Sequence, residues 1–340
     1  MISGSFLCQI LSVGMSSIRK GRHILSNLIE CLQDQYTTGQ LDALVKAFSK
    51  PRNTSFRLNR LKVATNDRAL EAKILYEIQE CLRSKKLKSK ILKLDWNSSF
   101  FILTEPDAKV ADLYHLPCHT TGLIHFQSLS SMIPPLVLDV EPGSRVLDLC
   151  CAPGGKTFQL LEKQPSILVA NDISSDRLSR FYRNMHTLVP SDSSSTVHVR
   201  SVDARKFQLL NEDEIIGSRP FDYILLDAPC SGEGIINLKE YKSYKYWSLQ
   251  SVKKFARLQA SLLETAYSLL SKGGSIVYST CTLNTIENEN VALGFLKRHS
   301  DLSMCDLSSF SQTPLQDSRF LRVFPDSQYQ GFFICRFKKS

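Results

Sequence analysis

No run of about 18 apolar residues occurs in this chain, so the sequence offers no membrane-spanning helix. It also has no CxxC pair, although ten of its 340 residues are cysteine. Cys150 and Cys151 adjoin and the other eight are scattered, which excludes the usual zinc spacings and a disulfide framework. Cysteines in mostly apolar surroundings behave as small hydrophobes in a reducing compartment. The protein is therefore expected inside the cell, in the cytoplasm. Acidic residues are missing before Glu30, where Arg19, Lys20, Arg22 and six serines stand. A mitochondrial transit peptide over residues 1–25 has this composition, which makes the mitochondrial matrix the alternative location. An ordinary basic first helix has it too, as does an extension ahead of Met15. Internal repeats are absent, and so are both nucleotide-loop fingerprints. GxGxxG fails at its first glycine, and GxxxxGK[ST] would need a glycine where Cys150 sits.

What the chain does have is an excess of positive charge. It carries 42 basic and 33 acidic residues, net +9, which makes nucleic acid the first candidate partner. Six of those nine charges lie within residues 1–140. Arg83, Lys85, Lys86, Lys88, Lys90 and Lys93 form the densest run, either a solvated face or an RNA contact. The 43% apolar content is enough for a buried core in one large or two ordinary domains. Residues 1 to about 95 read as helices, with apolar periodicity at Leu25-Ile29-Leu32 and Leu41-Leu44-Val45-Phe48 and a break at Pro51-Arg52-Asn53. From about residue 140 short strands alternate with longer helices. Strands are expected at 145–149, 167–170, 197–199, 221–226, 275–279 and 332–337. Helices are expected at 157–163, 176–186 and 252–270, the last stopped by Gly273-Gly274. That alternation predicts an α/β fold with a doubly wound, mostly parallel sheet.

Three segments in this region carry chemistry. In VLDLCCAPGGKT (146–157) a strand runs through Cys150, Cys151, Ala152, Pro153, Gly154 and Gly155 into a helix. Small residues let the backbone approach a ligand there, and a helix start favours a carboxylate. Asp172, after the next strand, is placed to take two ribose hydroxyls, and Asp203, after the third, to meet an adenine amino group. Adenosine with a carboxylate-bearing tail is S-adenosylmethionine. Arg177 reads as a helix-surface residue. The other two segments, LLDAPCSGEG and VYSTCTLNTIENE, set Cys230 and Cys281 in tight turns after apolar strands. Chemistry collects at such strand ends, and two thiols there suggest covalent catalysis on a planar substrate.

DLCCAPGGKT, LLDAPCSGEG and VYSTCTLNTIENE, in this order, resemble the Nol/Nop/Sun (Fmu/Sun-type) family of RNA cytosine-5 methyltransferases, closest to its bacterial 16S ribosomal RNA branch. Further matches are PRNTSFRLNRLK (51–62), TGLIHFQSLSSMIP (121–134) and LRVFPDSQYQGFFICRFKK (321–339), so the resemblance spans roughly residues 50–339. It implies a Rossmann-like S-adenosylmethionine-dependent methyltransferase domain over 136–340 and a smaller α+β RNA-binding domain over 26–135. It implies Cys281 as the nucleophile on carbon 6 of cytosine, Cys230 in proton removal or release of the adduct, and Lys156 as a lysine reaching the pocket. DNA cytosine methyltransferases use the cysteine of a Pro-Cys pair, which would point to Pro229-Cys230, and spacing alone does not choose. The cofactor set is Cys150 to Lys156, Asp172, Asp203 and Asp227. Asp227 either binds the cytosine ring at nitrogen 3 or contacts cofactor alone. One departure is Ser128, where the family often has an acid after its glutamine.

RNA, ribosomal or transfer, is the expected partner, with no membrane, no metal and a monomer by default. Lys239, Tyr241, Lys242, Tyr244, Lys245, Tyr246 and Trp247 interleave charge with rings after the Cys230 loop. They read either as an RNA contact or as a lid on the sheet, with Trp247 structural. Arg57 and Asn59 either face RNA or, for Arg57, pin the front domain to the core. Gly232 and Gly234 let the loop approach the substrate backbone. The rival readings are a catalytically silent RNA-binding assembly factor and an enzyme of the same fold acting on DNA or a small molecule.

Overall fold

The computed structural model describes residues 19–193, 196–209, 220–311 and 317–340. Most of the transit-peptide question, residues 1–18, lies outside them. The chain begins with two helices, α1 (Arg19–Leu32) and α2 (Thr38–Ser49). A capping box starts α2: Gln40 N donates to Thr37 Oγ1 at 3.3 Å, and Thr37 N to Gln40 Oε1 at 2.9 Å. Their apolar faces do not form a separate body. Leu25, Leu28, Leu44 and Phe48 pack with Ile236, Tyr244, Trp247 and Leu283, beneath the loops after Cys230 and Cys281.

The next segment departs from the helical reading of residues 1 to about 95 and has the α+β character that the resemblance implies. Strands β1 (Ser55–Leu58), β2 (Ile91–Leu94), β3 (Asn97–Leu103) and β4 (Ile124–Phe126) form an antiparallel sheet in the order β2-β3-β1-β4, and α3 (Arg68–Ser84) covers it. Phe56 of β1 stands opposite Phe101 and Phe126, its ring stacked on Phe101 at 5.2 Å. All four residues of β1 are buried, so it shows no alternation, and β2 is a charged edge strand. Period-2 patterning was absent from both, which hid them. Of the basic run beside β2, Arg83, Lys85 and Lys93 pair with Glu80, Asp112 and Glu71.

Helix α4 (Leu129–Leu138) leads into the main sheet, which contains β5 (Arg145–Asp148), β6 (Ile167–Asn171), β7 (Val197–Arg200), β8 (Phe221–Asp227), β9 (Leu270–Thr280), β10 (Leu302–Met304), β11 (Leu321–Val323) and β12 (Phe332–Lys339). The order is β10-β12-β9-β8-β5-β6-β7, with β11 paired to β12. Strands β5 to β9 run parallel and β12 antiparallel. Helices α4, α5 (Gly155–Leu161) and α6 (Ser175–Leu188) pack on one face, and α7 (Leu249–Leu269) and α8 (Glu289–Arg298) on the other. This is the expected α/β architecture, doubly wound around a mostly parallel sheet. One predicted stop is corrected. Gly273 and Gly274 do not cap α7 but lie inside β9, where the register against β8 shifts and Gly273 has φ +77°. A bulge needs that conformation and glycine supplies it.

Chain order reverses between β5 and β8: β6 and β7 continue to one side of β5, β8 and β9 to the other. The crevice beyond the carboxyl ends of β5 and β8 is where such a sheet binds ligands.

Candidate active site

The turn after β5 makes the floor of a cavity of about 220 Å³, lined by residues that include His125, Gln127, Ser131, Asp148, Cys150, Gly155, Lys156 and Asp227. Gly154 has φ +106°, and a Cβ there would lie 2.4 Å from the Phe158 ring, so no other residue fits the turn. Asp148 is fully buried. Thr157 Oγ1 donates to its Oδ2 at 2.7 Å, while Oδ1 has no partner among the described residues. Burial raises its pKa from 3.8 to about 7. Burial, with Asp148 and Asp172 nearby, also raises Cys150 and Cys151, which are therefore neutral thiols in the floor.

Asp172 is buried at the end of β6, accepting from Ala152 N (3.2 Å) and Ser174 N (3.0 Å) and pairing with Arg177 at 2.9 Å. Arg177 thus reaches the turn after β5, where it also donates to the Ala152 carbonyl, and is more than a helix-surface residue. Asp203 stands after β7 in a bidentate contact with Arg205, whose hydrogen bonds hold its carboxyl below the usual range.

At the end of β8 the groups converge more tightly. Lys156 Nζ lies 2.7 Å from Asp227 Oδ2 and donates to Ser131 Oγ at 2.7 Å, while Ser279 Oγ donates to Asp227 Oδ1 at 2.8 Å. Just beyond Asp227, Cys230 Sγ and Cys281 Sγ are 3.2 Å apart, brought together because β8 and β9 are neighbours. The Cys230 thiol is pushed well above its ordinary range, first by its hydrogen bond with Cys281 and then by burial.

Sequence reasoning missed what fixes these two loops. Glu233, fully buried, accepts from Trp247 Nε1, Thr282 Oγ1, Leu283 N, Asn284 N and Asn284 Nδ2 at 2.8 to 2.9 Å. Glu287 accepts from Ser231 N (3.0 Å), Gln259 Nε2 (2.8 Å) and Asn284 Nδ2 (3.0 Å), and burial raises its pKa. Two carboxylates therefore lace the Cys230 loop to the Cys281 loop, each hydrogen bond to a charged group being worth about 1.5–3 kcal/mol. The acids of SGEG and ENE stood inside the quoted motifs, but their burial depends on groups remote in sequence.

Other expected contacts fall elsewhere. Arg57 is 1% exposed and Asn59 is buried, so neither faces RNA. Arg57 donates to Glu162, to Gln127 Oε1 (3.1 Å) and to the Gly155 carbonyl (3.3 Å), pinning the front sheet to α5. Asn59 bridges the Gly122 and Leu188 carbonyls at 2.7 Å. Tyr244 and Trp247 are buried under α1 and α2, whereas Tyr246 is 79% exposed with Lys245 over its ring. Gly234 makes its close approach to the backbone of Gly331. Among the described residues no helix is long and apolar enough to cross a membrane, and no group of three His, Cys, Asp or Glu could hold a metal ion.

The profile of the 16S rRNA methyltransferase RsmB/F family matches residues 135–338. Ribosomal RNA small subunit methyltransferase F of Aeromonas salmonicida is 32% identical over 311 residues, covering 88% of this chain and 60% of that protein. The protein of that name from Escherichia coli is 31% identical over 313 residues, covering 89% and 60%. The chain thus spans about three fifths of the length of these curated relatives. A methyltransferase homologue from Pyrococcus horikoshii is 27% identical with a TM-score of 0.74, covering all of both chains. The NSun6 structure from Pyrococcus horikoshii with SFG, at 22% identity and a TM-score of 0.75, covers 92% of this chain and 97% of that one, and shares the fold.

Proposed function

Because the chain belongs to the 16S rRNA methyltransferase RsmB/F family, an S-adenosylmethionine-dependent one, we propose that it methylates carbon 5 of a cytosine in ribosomal RNA through a covalent cysteine adduct. The observation that carries this reading is the 3.2 Å contact of Cys230 and Cys281 beside the Lys156–Asp227 pair. Residues 136–340 would carry the chemistry and residues 26–135 would help to hold the RNA.

The cofactor cavity fits its intended occupant. The turn Cys150 to Lys156 excludes side chains at Gly154, and Asp148 and Asp227 line the cavity on the side where a cationic sulfonium would sit. Asp172, held behind the turn by Ala152 N and Arg177, would take the ribose hydroxyls. Asp203 would serve the adenine end after parting from Arg205. When bound, S-adenosylmethionine supplies the electrophilic methyl group.

The protein's residues do the rest. Cytosine carbon 5 is not a nucleophile until a thiolate adds to carbon 6, which turns the ring enamine-like. Cys281 forms that sulfur–carbon bond. Asp227, oriented by Lys156 and Ser279, would hold nitrogen 3 through a proton on its carboxyl, give that proton up as negative charge develops on the ring, and take it back when the adduct breaks down. After methylation the carbon 5 proton passes to the Cys230 sulfur as the Cys230 thiol gives its own proton to the departing Cys281 sulfur, and the electrons of the carbon–hydrogen bond expel that sulfur, restoring the aromatic ring. Cys230, kept as a neutral thiol, stands where it can relay protons in this release. Glu233 and Glu287 keep the two sulfurs in register. The target cytosine has to leave its stack to reach them.

Transfer of labelled methyl to small-subunit rRNA tests this. Cys281→Ala should lose at least about a thousandfold in turnover, and Cys230→Ala should accumulate an RNA–protein adduct on a denaturing gel. Full activity in Cys281→Ala would refute the assigned nucleophile. RNA bound but never methylated by wild type would favour the silent assembly factor.

A further inference from the structure

We propose that a second cavity, of about 340 Å³ between the front sheet and the segment before β12, receives the nucleobase adjacent to the target cytosine in the RNA strand. This inference rests on the reading of the chain as an RNA methyltransferase and adds a subsite to it.

Position is the first argument. Phe126 and Gln127 line both this cavity and the cofactor cavity, so the two share a wall. On the far side, Arg52 donates to the carbonyls of Gly234 (3.0 Å) and Ile236 (3.3 Å), in the loop that follows Cys230. Next to the lining residue Gln330, Gly331 N donates to the Gly234 carbonyl at 3.0 Å, and Gly234 N to the Cys281 carbonyl at 2.9 Å. The cavity is thus one loop away from the reacting thiol. A nucleotide strand that delivers its cytosine to Cys281 passes its neighbour along this wall.

Chemistry is the second. Ser128 begins α4 but its hydroxyl makes no cap bond, and the side-chain amides of the exposed Gln328 and half-buried Gln330 at the cavity wall have no hydrogen-bond partner among the described residues. Each of these groups both donates and accepts, which suits the mixed edge of a base; a site for an anion alone would present donors only. Tyr114, 54% exposed at the rim, meets Phe126 edge-to-face at 6.0 Å and leaves aromatic surface on which a base can stack. Arg52 has no carboxylate within 4 Å among the described residues, and Asp326 acts on it only at longer range. That guanidinium favours the phosphate which accompanies such a base. Sequence reading had assigned none of Arg52, Tyr114, Gln328 and Gln330 a role.

The test starts from the rRNA cytosine that wild type methylates, placed in a hairpin in which the nucleotide on either side is made abasic in turn. With wild type, one of the two abasic hairpins should raise KM roughly tenfold at similar kcat. Tyr114→Ala and the double variant Gln328→Ala, Gln330→Ala should show that rise on the intact hairpin and no further response to the abasic one. Affinity for S-adenosylhomocysteine, measured alongside, should match wild type and so reports that the variants are folded. If wild type and variants respond equally to the abasic nucleotides, the subsite is refuted while the methyltransferase reading stands. Absence of methyl transfer to any RNA refutes that reading and this one together. A mixture of the four nucleoside monophosphates should leave the wild-type rate unchanged. Inhibition that Tyr114→Ala abolishes would mean that free nucleotides fill the cavity, which overturns the proposal.

Discussion

Asp148 closes β5 with its carboxyl out of reach of water and one oxygen unpartnered, and burial lifts its pKa from 3.8 to about 7. In the unfolded chain this group ionises near pH 4, whereas the folded protein keeps its proton until about pH 7. The native state therefore binds more protons between those values, so the contribution of Asp148 to stability falls as pH rises through that window and is flat above it. A rise of that size bounds the effect at about 4 kcal/mol. His125 across the cavity acts in the opposite sense. Burial, then Arg57, depresses it from 6.5 to about 3, so its contribution rises with pH over much of the same range. Asp148→Asn isolates the carboxyl, since an amide oxygen still accepts from Thr157. Urea unfolding at matched pH should show the variant gaining on wild type from pH 4 to 7 and then holding level; a difference independent of pH would sink the assignment. Legibility at this scale followed position in the motif. Asp227, Cys230 and Cys281 stood at or just after the ends of apolar runs, so a place at the carboxyl ends of the strands could be anticipated, whereas Lys156 follows the glycine turn and its place in the pocket came only from the family resemblance. Glu233 could not, because a glutamate between two glycines reads as solvated until Trp247, Thr282 and Asn284 arrive from other parts of the chain.

Among the elements, β5, β6, β8 and β9 were readable as short apolar runs followed by turns, because a parallel strand buried on both faces is continuous in hydrophobicity, whereas the edge strand β7 showed only Val197 and Val199 about His198. The same burial concealed β1, where four residues gave neither alternation nor length, and the glycines of β9 looked like a helix stop because a bulge and a cap ask for the same backbone. Gly234 repeats the lesson in the loop after Cys230. A glycine there suggests approach to a substrate, but its missing Cβ would lie 2.0 Å from the Gly331 carbonyl oxygen. The two glycines hold the Cys230 loop against the segment before β12, through the Gly331 N to Gly234 O bond of 3.0 Å. Gly234→Ala must push that backbone apart, at a cost of about 1–3 kcal/mol. Because Gly234 N also binds the Cys281 carbonyl, the displacement would separate the two sulfurs. The expected outcome is a lower melting temperature together with a loss of methyl transfer of more than about tenfold, beyond what the fraction unfolded explains. Wild-type turnover in a destabilised variant would show that the loop tolerates movement.

Over the whole molecule, two sheets built on different principles have to meet at a fixed angle, and the junction is polar. Arg57 leaves β1 of the front sheet wholly buried and ends among Glu162, Gln127 and the Gly155 carbonyl, while Glu162 also accepts from Arg60 N at 3.0 Å. Desolvation raises the Glu162 pKa, and Arg57 is the largest of the influences opposing it. A buried pair of this kind gives little net stability, but breaking it leaves one charge without compensation, at about 3–5 kcal/mol. Arg57→Met should therefore lose about that much at pH 8, and less at pH 5, where an unpaired Glu162 takes up a proton. Adding Glu162→Gln should recover most of the loss at pH 8, because the stranded charge is then gone. The junction touches Gly155, the first residue of α5 and part of the cavity proposed to hold the cofactor, so Arg57→Met should also weaken S-adenosylhomocysteine binding at pH 8, with the double variant intermediate. Titration calorimetry and urea unfolding on the same three proteins decide it. If Arg57→Met unfolds like wild type at pH 8, the two sheets are held by their apolar contacts and the ion pair is incidental.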